Sequence, residues 1–175
     1  MFFKQSLQRK IIKGIDNERM VKYMSLTEIN SLGFLFNINE EGMLDTIKRL
    51  CELADSRSIK FSAIALNTLK QPYPKDILDY RISVINKQDL NYLGLPKTPS
   101  TEIFTSQGFN LFIDFSSDYN FTCDYLSHKS KSSFKIGRLS YENNPFDLVL
   151  ENIKDGTGRN YLNSIIHYLS SIRSV

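Results

Sequence analysis

The sequence predicts an α/β domain: a three-layer sandwich around a mixed, mostly parallel sheet of about six strands, with a basic N-terminal helix. Three observations predict it. Two apolar runs, Leu32–Ile38 and Phe109–Phe115, carry apolar residues on both faces, as strands in the middle of a covered sheet do. Segments with helical periodicity alternate with these and weaker strand-like runs. Finally, only a short polar turn separates the strand-like stretches Phe134–Leu139 and Pro145–Leu150. A parallel crossover usually needs about a dozen residues, so these two are expected to be antiparallel neighbours or not adjacent, and the sheet mixed.

Taken in order, residues 1–24 read as a basic amphipathic helical extension, and 25–175 as a single α/β domain. Phe3, Leu7, Ile11 and Ile15 recur at i+4, and Gly14 weakens the helix at its middle. Ser25 and Glu28 have capping-box spacing, which predicts a helical turn there. Asn39 is expected to cap the helix after the first strand, with Glu40 and Glu41 in its first turn and Met43, Ile47, Leu50 and Ala54 on its buried side. Ile59–Leu66 completes a βαβ unit. A short helix is expected around Asp76–Tyr80, a strand over Arg81–Asn86, and a helical turn near Thr101–Ser106 within the long connection 88–108. A short helix over Tyr119–His128 follows the second strong strand, and a clean amphipathic helix over Arg159–Arg173 ends the chain.

Composition excludes several classes. Of 175 residues, 41% are hydrophobic and 23% charged, which is ordinary globular usage rather than that of a disordered chain. The net charge of +3 is too mild to support a nucleic-acid partner. Its distribution is uneven: Lys4, Arg9, Lys10 and Lys13 fall within the first thirteen residues, with no acid among them. Cys51 and Cys123 have neither disulfide-framework nor zinc spacing, and Cys51 reads as a core residue. No leader and no long apolar span is recognisable, so the expected setting is the cytoplasm.

No residue set carries a catalytic, metal or cofactor signature. His167 and His128 read as solvated surface residues. Asp155-Gly156-Thr157-Gly158-Arg159 reads as a turn and helix cap rather than a phosphate cradle. Lys135 and Arg138 read as solvated strand residues around a bulge at Gly137, with anion binding as the rarer alternative. The polar cluster Asp114, Ser116 and Asp118 ends a predicted central strand, where open α/β sheets bind ligands, and Asn37 shares that rim if the two strands are parallel. A capping role for Ser116–Asp118 is the simpler reading of those residues.

The succession of the basic N-terminal helix, Leu32-Gly33-Phe34-Leu35-Phe36-Asn37, Asp89-Leu90-Asn91-Tyr92-Leu93-Gly94, Phe109-Asn110-Leu111-Phe112-Ile113, Phe134-Lys135-Ile136-Gly137-Arg138 and Phe146-Asp147-Leu148-Val149-Leu150, ending in a helix over Tyr161–Ile172, resembles a family of uncharacterised proteins of Bacteroidota. The resemblance implies a cytoplasmic bacterial setting and brings no activity with it.

Two functions follow as expectations. One is a non-catalytic binding module whose N-terminal helix, through Lys4, Arg9, Lys10 and Lys13, meets a protein partner, a second copy or an anionic membrane surface. The other is an enzyme or binder of a small anionic ligand, such as a nucleotide or sugar phosphate, held at the rim by Asn37, Asp114, Ser116, Asp118 and Arg138.

Overall fold

A computed structural model describes residues 2–74, 77–151 and 153–172. It contains a six-stranded sheet with helices on both faces. The strands are β1 (Ser31–Asn37), β2 (Lys60–Leu66), β3 (Ile82–Ile85), β4 (Leu111–Asp114), β5 (Phe134–Gly137) and β6 (Leu148–Val149). The described helices are α1 (Phe2–Lys13), α2 (Met43–Ser56), α3 (Pro99–Ser106), α4 (Phe121–Lys129) and α5 (Gly158–Ser171). Spatial order is β3-β2-β1-β4-β5-β6, the order of doubly wound folds, and the two apolar runs read from sequence are the central pair.

Alternation along the strands builds two cores. Phe34, Phe36, Phe61, Ala63, Ile113 and Phe134 face α2 and α5, where Met43, Ile47, Tyr161, Leu162 and Ile165 meet them. Leu35, Ile64, Phe112 and Phe109 face α3 and α4, packed against Phe104, Cys123 and Leu126. Gly33 lets the Phe109 ring lie on β1, since a Cβ there would come within 2.4 Å of that ring.

Every strand pair is parallel, so the expected mixed sheet is corrected. The error lay at β5 and β6, which pair in parallel through Ile136↔Leu148 and Gly137↔Val149. Gly137 is the physical reason that a short connection suffices. A Cβ at this position would meet the Phe146 ring at 2.1 Å, so the loop lies directly on the strand. Asp147 fixes the register from both sides of its backbone. Its N–H donates to the Lys135 carbonyl at 2.9 Å, and its Oδ2 accepts the Lys135 N–H at 2.8 Å. Gly137 is thus a close-approach site within regular pairing, not a bulge.

Several local expectations also change. Helix α1 stops at Lys13 instead of reaching residue 24, because the chain turns at Gly14. Residues 16–26 then cross the N-terminal edge of the sheet. Arg19 pairs with Asp147 at 2.5 Å, Lys131 with Asp16 at 3.0 Å, and the Leu26 N–H donates to Leu169 O at 3.1 Å. At the predicted capping box, the Ser25 N–H does donate to Glu28 Oε2 at 2.8 Å. Asn39 does not cap α2, whose N-cap position is Gly42; its Oδ1 instead accepts from the Thr68 N–H at 2.8 Å. The short helix expected around Asp76–Tyr80 begins outside the described residues, and the expected last helix over Arg159–Arg173 likewise runs past them at its end. No described helix is long and apolar enough to cross a membrane.

Candidate functional site

The parallel β1–β4 pairing, with Leu35 opposite Asp114, brings the ends of both central strands to one rim. The strand order reverses between these two strands, which is where open α/β sheets form ligand crevices. Asn37 ends β1, and its Oδ1 accepts the Asn39 N–H at 3.0 Å. Asp114 ends β4 and is 4% exposed. Its Oδ1 accepts the Ser116 N–H at 2.9 Å, and its Oδ2 accepts from Ser127 Oγ at 3.1 Å. Burial pushes the Asp114 carboxyl above the ordinary range, against the pull of those donors.

Arg138 leaves β5 and ties three loops together. Its guanidinium reaches Glu40 Oε1 at 2.7 Å, donates to Phe115 O at 3.0 Å, and donates to Gly156 O. It is therefore buried and paired, not the solvated strand residue expected from sequence. Neither Ser116 nor Asp118 caps α4. Asn120 does so, its Oδ1 accepting from the Thr122 N–H at 2.9 Å. Thr157 caps α5 by accepting the Asn160 N–H at 3.3 Å, which accounts for the Asp155–Arg159 segment as a turn and cap.

Asp114, Ser116, Asp118 and Arg138 line a common hollow beside Tyr119 and Asp124. Its volume is about 10 Å³, room for one water and no more. Asn37 is not among its walls.

A larger space opens on the outer side of this hollow. Helix α1 lies beside α4, with the Gln8 amide donating to Leu93 O at 2.7 Å. Between α1 and the loop after β5 is a cleft of about 430 Å³. One wall is Gln5, Gln8, Arg9, Ile12 and Lys13; the other is Tyr119, Asp124, Tyr141, Glu142 and Asn143. Tyr119, Asp124 and Tyr141 also line the small hollow, so they separate the two spaces. Of the four cations singled out in sequence, Arg9 and Lys13 therefore face the cleft, while Lys4 and Lys10 are exposed elsewhere on α1.

Asp124 anchors this wall. Its Oδ1 accepts from Tyr141 Oη at 2.8 Å, and its Oδ2 accepts from Tyr119 Oη at 3.0 Å. The two rings meet edge to face at 5.2 Å. Burial raises the Asp124 carboxyl, opposed by Tyr141, His128 and Tyr119, and burial likewise raises both phenols. One helical turn on, His128 Nε2 stands 3.4 Å from Asp124 Oδ1. His128 is 5% exposed, contrary to the surface role read from sequence, and burial holds its imidazole below the ordinary value. Lys135 is a second such correction. It is 2% exposed with its Nζ donating to Ser127 O at 2.6 Å, and burial brings its ammonium down to about 7.

Sequence reasoning passed over Asp124 and read His128 and Lys135 as solvated because polar residues on a short helix and a strand ordinarily face water. One signal was present. Phe121, Cys123, Tyr125 and Leu126 do not keep to one stripe, and a helix apolar around its girth is one that is covered on several sides. Here the sheet covers one side and α1 with the 138–147 loop another. Both cysteines are buried, and burial pushes the Cys51 thiol up to about 12 and Cys123 up as well. Among the described residues no group of three or more His, Cys, Asp or Glu is placed to hold a metal ion.

No curated protein matches this chain, and no solved structure matches it. Residues 4–172 do match a family of unknown function, DUF6913, a span that takes in the sheet, both walls of the cleft and the described helices apart from the first two residues of α1. The chain belongs to the family of unknown function DUF6913.

Proposed function

We propose that this protein is a binding module for a small anionic ligand, seated in the cleft between α1 and the loop after β5. A bacterial cytoplasmic setting, in an organism of the Bacteroidota, belongs to the same reading. The observation that carries it is the opposition of Arg9 and Lys13 on α1 to Tyr119, Asp124 and Tyr141 across a cleft of about 430 Å³. That size suits a small molecule, and mixed walls with a few polar groups are what such sites use for orientation. Two cations on one wall favour a phosphate or carboxylate there. The phenols and the carboxyl opposite offer hydrogen bonds to the ligand's other end. Of the rim residues, Asp114, Ser116, Asp118 and Arg138 lie behind this wall around the small hollow that Tyr119 and Asp124 also line, and Asn37 lies on the same rim outside it.

A thermal-shift panel of phosphate, pyrophosphate, nucleotides, sugar phosphates and small carboxylates tests the reading. An anion at a hundredfold its dissociation constant adds about 2.7 kcal/mol, which raises the melting temperature of a chain this size by roughly 5–10 °C. Arg9→Glu with Lys13→Glu abolishes the shift while leaving the unliganded melting temperature nearly unchanged. No shift across the panel, or an equal shift in the double variant, counts against the cleft.

A further inference from the structure

Helix α1 has a second face that the cleft does not use. None of its residues is fully buried; Leu7, Gln8, Ile11 and Ile12 are half-buried toward the domain. The remaining side chains stand in solvent, among them Phe2 at 89% and Phe3 at 76% exposure, together with Lys4 and Lys10. No acid occurs before Asp16, and that carboxylate is already paired with Lys131 at 3.0 Å. Two fully presented phenylalanines at one end of a helix carrying only positive charge form an unusual surface for a soluble domain.

We infer that the outward face of α1 docks on an anionic lipid bilayer, with Phe2 and Phe3 entering the headgroup–acyl boundary and Lys10, which helical spacing places between them, meeting the lipid charge. Charge complementarity selects this occupant. A partner groove reads an apolar stripe at i, i+4, and the stripe Leu7, Ile11 and Ile15 is already turned toward the protein's own domain. A nucleic-acid backbone satisfies the lysine and offers no apolar phase to the two phenylalanines. A bilayer surface satisfies both. The domain then sits with its cleft next to the membrane surface, since Arg9 and Lys13 belong to the same helix. This docking does not depend on a ligand in the cleft, and its test avoids the cleft residues.

Sedimentation of the full chain with vesicles of phosphatidylcholine alone, and with a third of the lipid replaced by phosphatidylglycerol, reads the docking directly. The chain is expected to pellet with the anionic vesicles only. Lys10→Glu lowers the partition coefficient at least fivefold, at roughly fivefold for each cation lost. Phe2→Ser with Phe3→Ser lowers it by a similar factor at equal vesicle charge, and both variants keep the wild-type circular dichroism and melting temperature. Three outcomes overturn the inference: no anionic selectivity, Phe2→Ser/Phe3→Ser binding as tightly as wild type, or a retained oligonucleotide or a concentration-dependent dimer that competes with the vesicles for this face.

Discussion

Arg138 and Glu40 meet at 2.7 Å although 98 positions separate them, and their contact joins the end of β5 to the end of β1 across the mouth of the central strands. Both are largely buried, at 7% and 16% side-chain exposure. Removing one partner of such a pair strands the other charge, which costs more than removing both. Arg138→Met is expected to destabilise the fold by about 2–4 kcal/mol, and Arg138→Met with Glu40→Gln by clearly less than the sum of the singles. Urea unfolding of the four proteins in the cycle reads this. Additive losses would mean that the ion pair does not couple the two loops.

Lys135 makes stability depend on pH in a defined direction. Burial lowers its amine to about 7 in the folded chain, while the unfolded chain holds the proton up to about 10.4. Between these values the unfolded state binds more protons, so this residue's contribution to stability rises with pH, and below about 7 its charge penalty is fully present. Lys135→Met is therefore expected to gain on the order of 2 kcal/mol relative to wild type at pH 6, with the advantage shrinking toward pH 9.5. Unfolding curves at both values test it, and an advantage constant with pH would contradict it.

Gly137 and Phe146 should behave as one unit. The ring occupies the space of a Cβ, at 2.1 Å, so Gly137→Ala must displace it and with it the approach to β6. The substitution is expected to cost about 2–3 kcal/mol alone and under about 1 kcal/mol in a Phe146→Ala background. An equal cost in both backgrounds, measured by denaturant unfolding, would locate the constraint elsewhere.

The Tyr119 and Tyr141 hydroxyls favour the charged form of Asp124, against the burial that opposes it. Tyr141→Phe should raise the Asp124 carboxyl further, and Tyr119→Phe/Tyr141→Phe more still. Carboxyl-carbon NMR titration follows the group directly. An unchanged titration would show that the phenols do not bond to the ionised carboxylate.

Much of this fold is written locally in the chain. The apolar runs at Phe34 and Phe112 announce central strands, and Leu162, Ile165 and Leu169 announce the face of α5. What escapes a local reading depends on contacts between distant segments. Parallel pairing of β5 with β6 rests on a ring lying over one glycine, and no pattern within 134–150 distinguishes that from a tight antiparallel turn. His128 and Lys135 look solvated until the elements packed around them are in place. Asn37, Asp114 and Arg138 lie at the strand ends where open α/β sheets gather ligands, yet their side chains bond to nearby backbone, at Asn39, Ser116 and Phe115. The cleft itself needed α1 to fold across the domain, which charge and periodicity in residues 1–13 do not specify.

An anion between α1 and the Tyr119–Asp124–Tyr141 wall would perturb residues on both sides of the cleft together. The most direct measurement is a ¹H–¹⁵N NMR titration of the full chain with inorganic pyrophosphate. The expected result is saturable shifts at Arg9 and Lys13, at Tyr119 and Asp124, and over 141–143, with the amides of α2 and β3 unmoved. Shifts spread evenly over exposed lysines without saturation, or a saturable set outside the cleft, would contradict it.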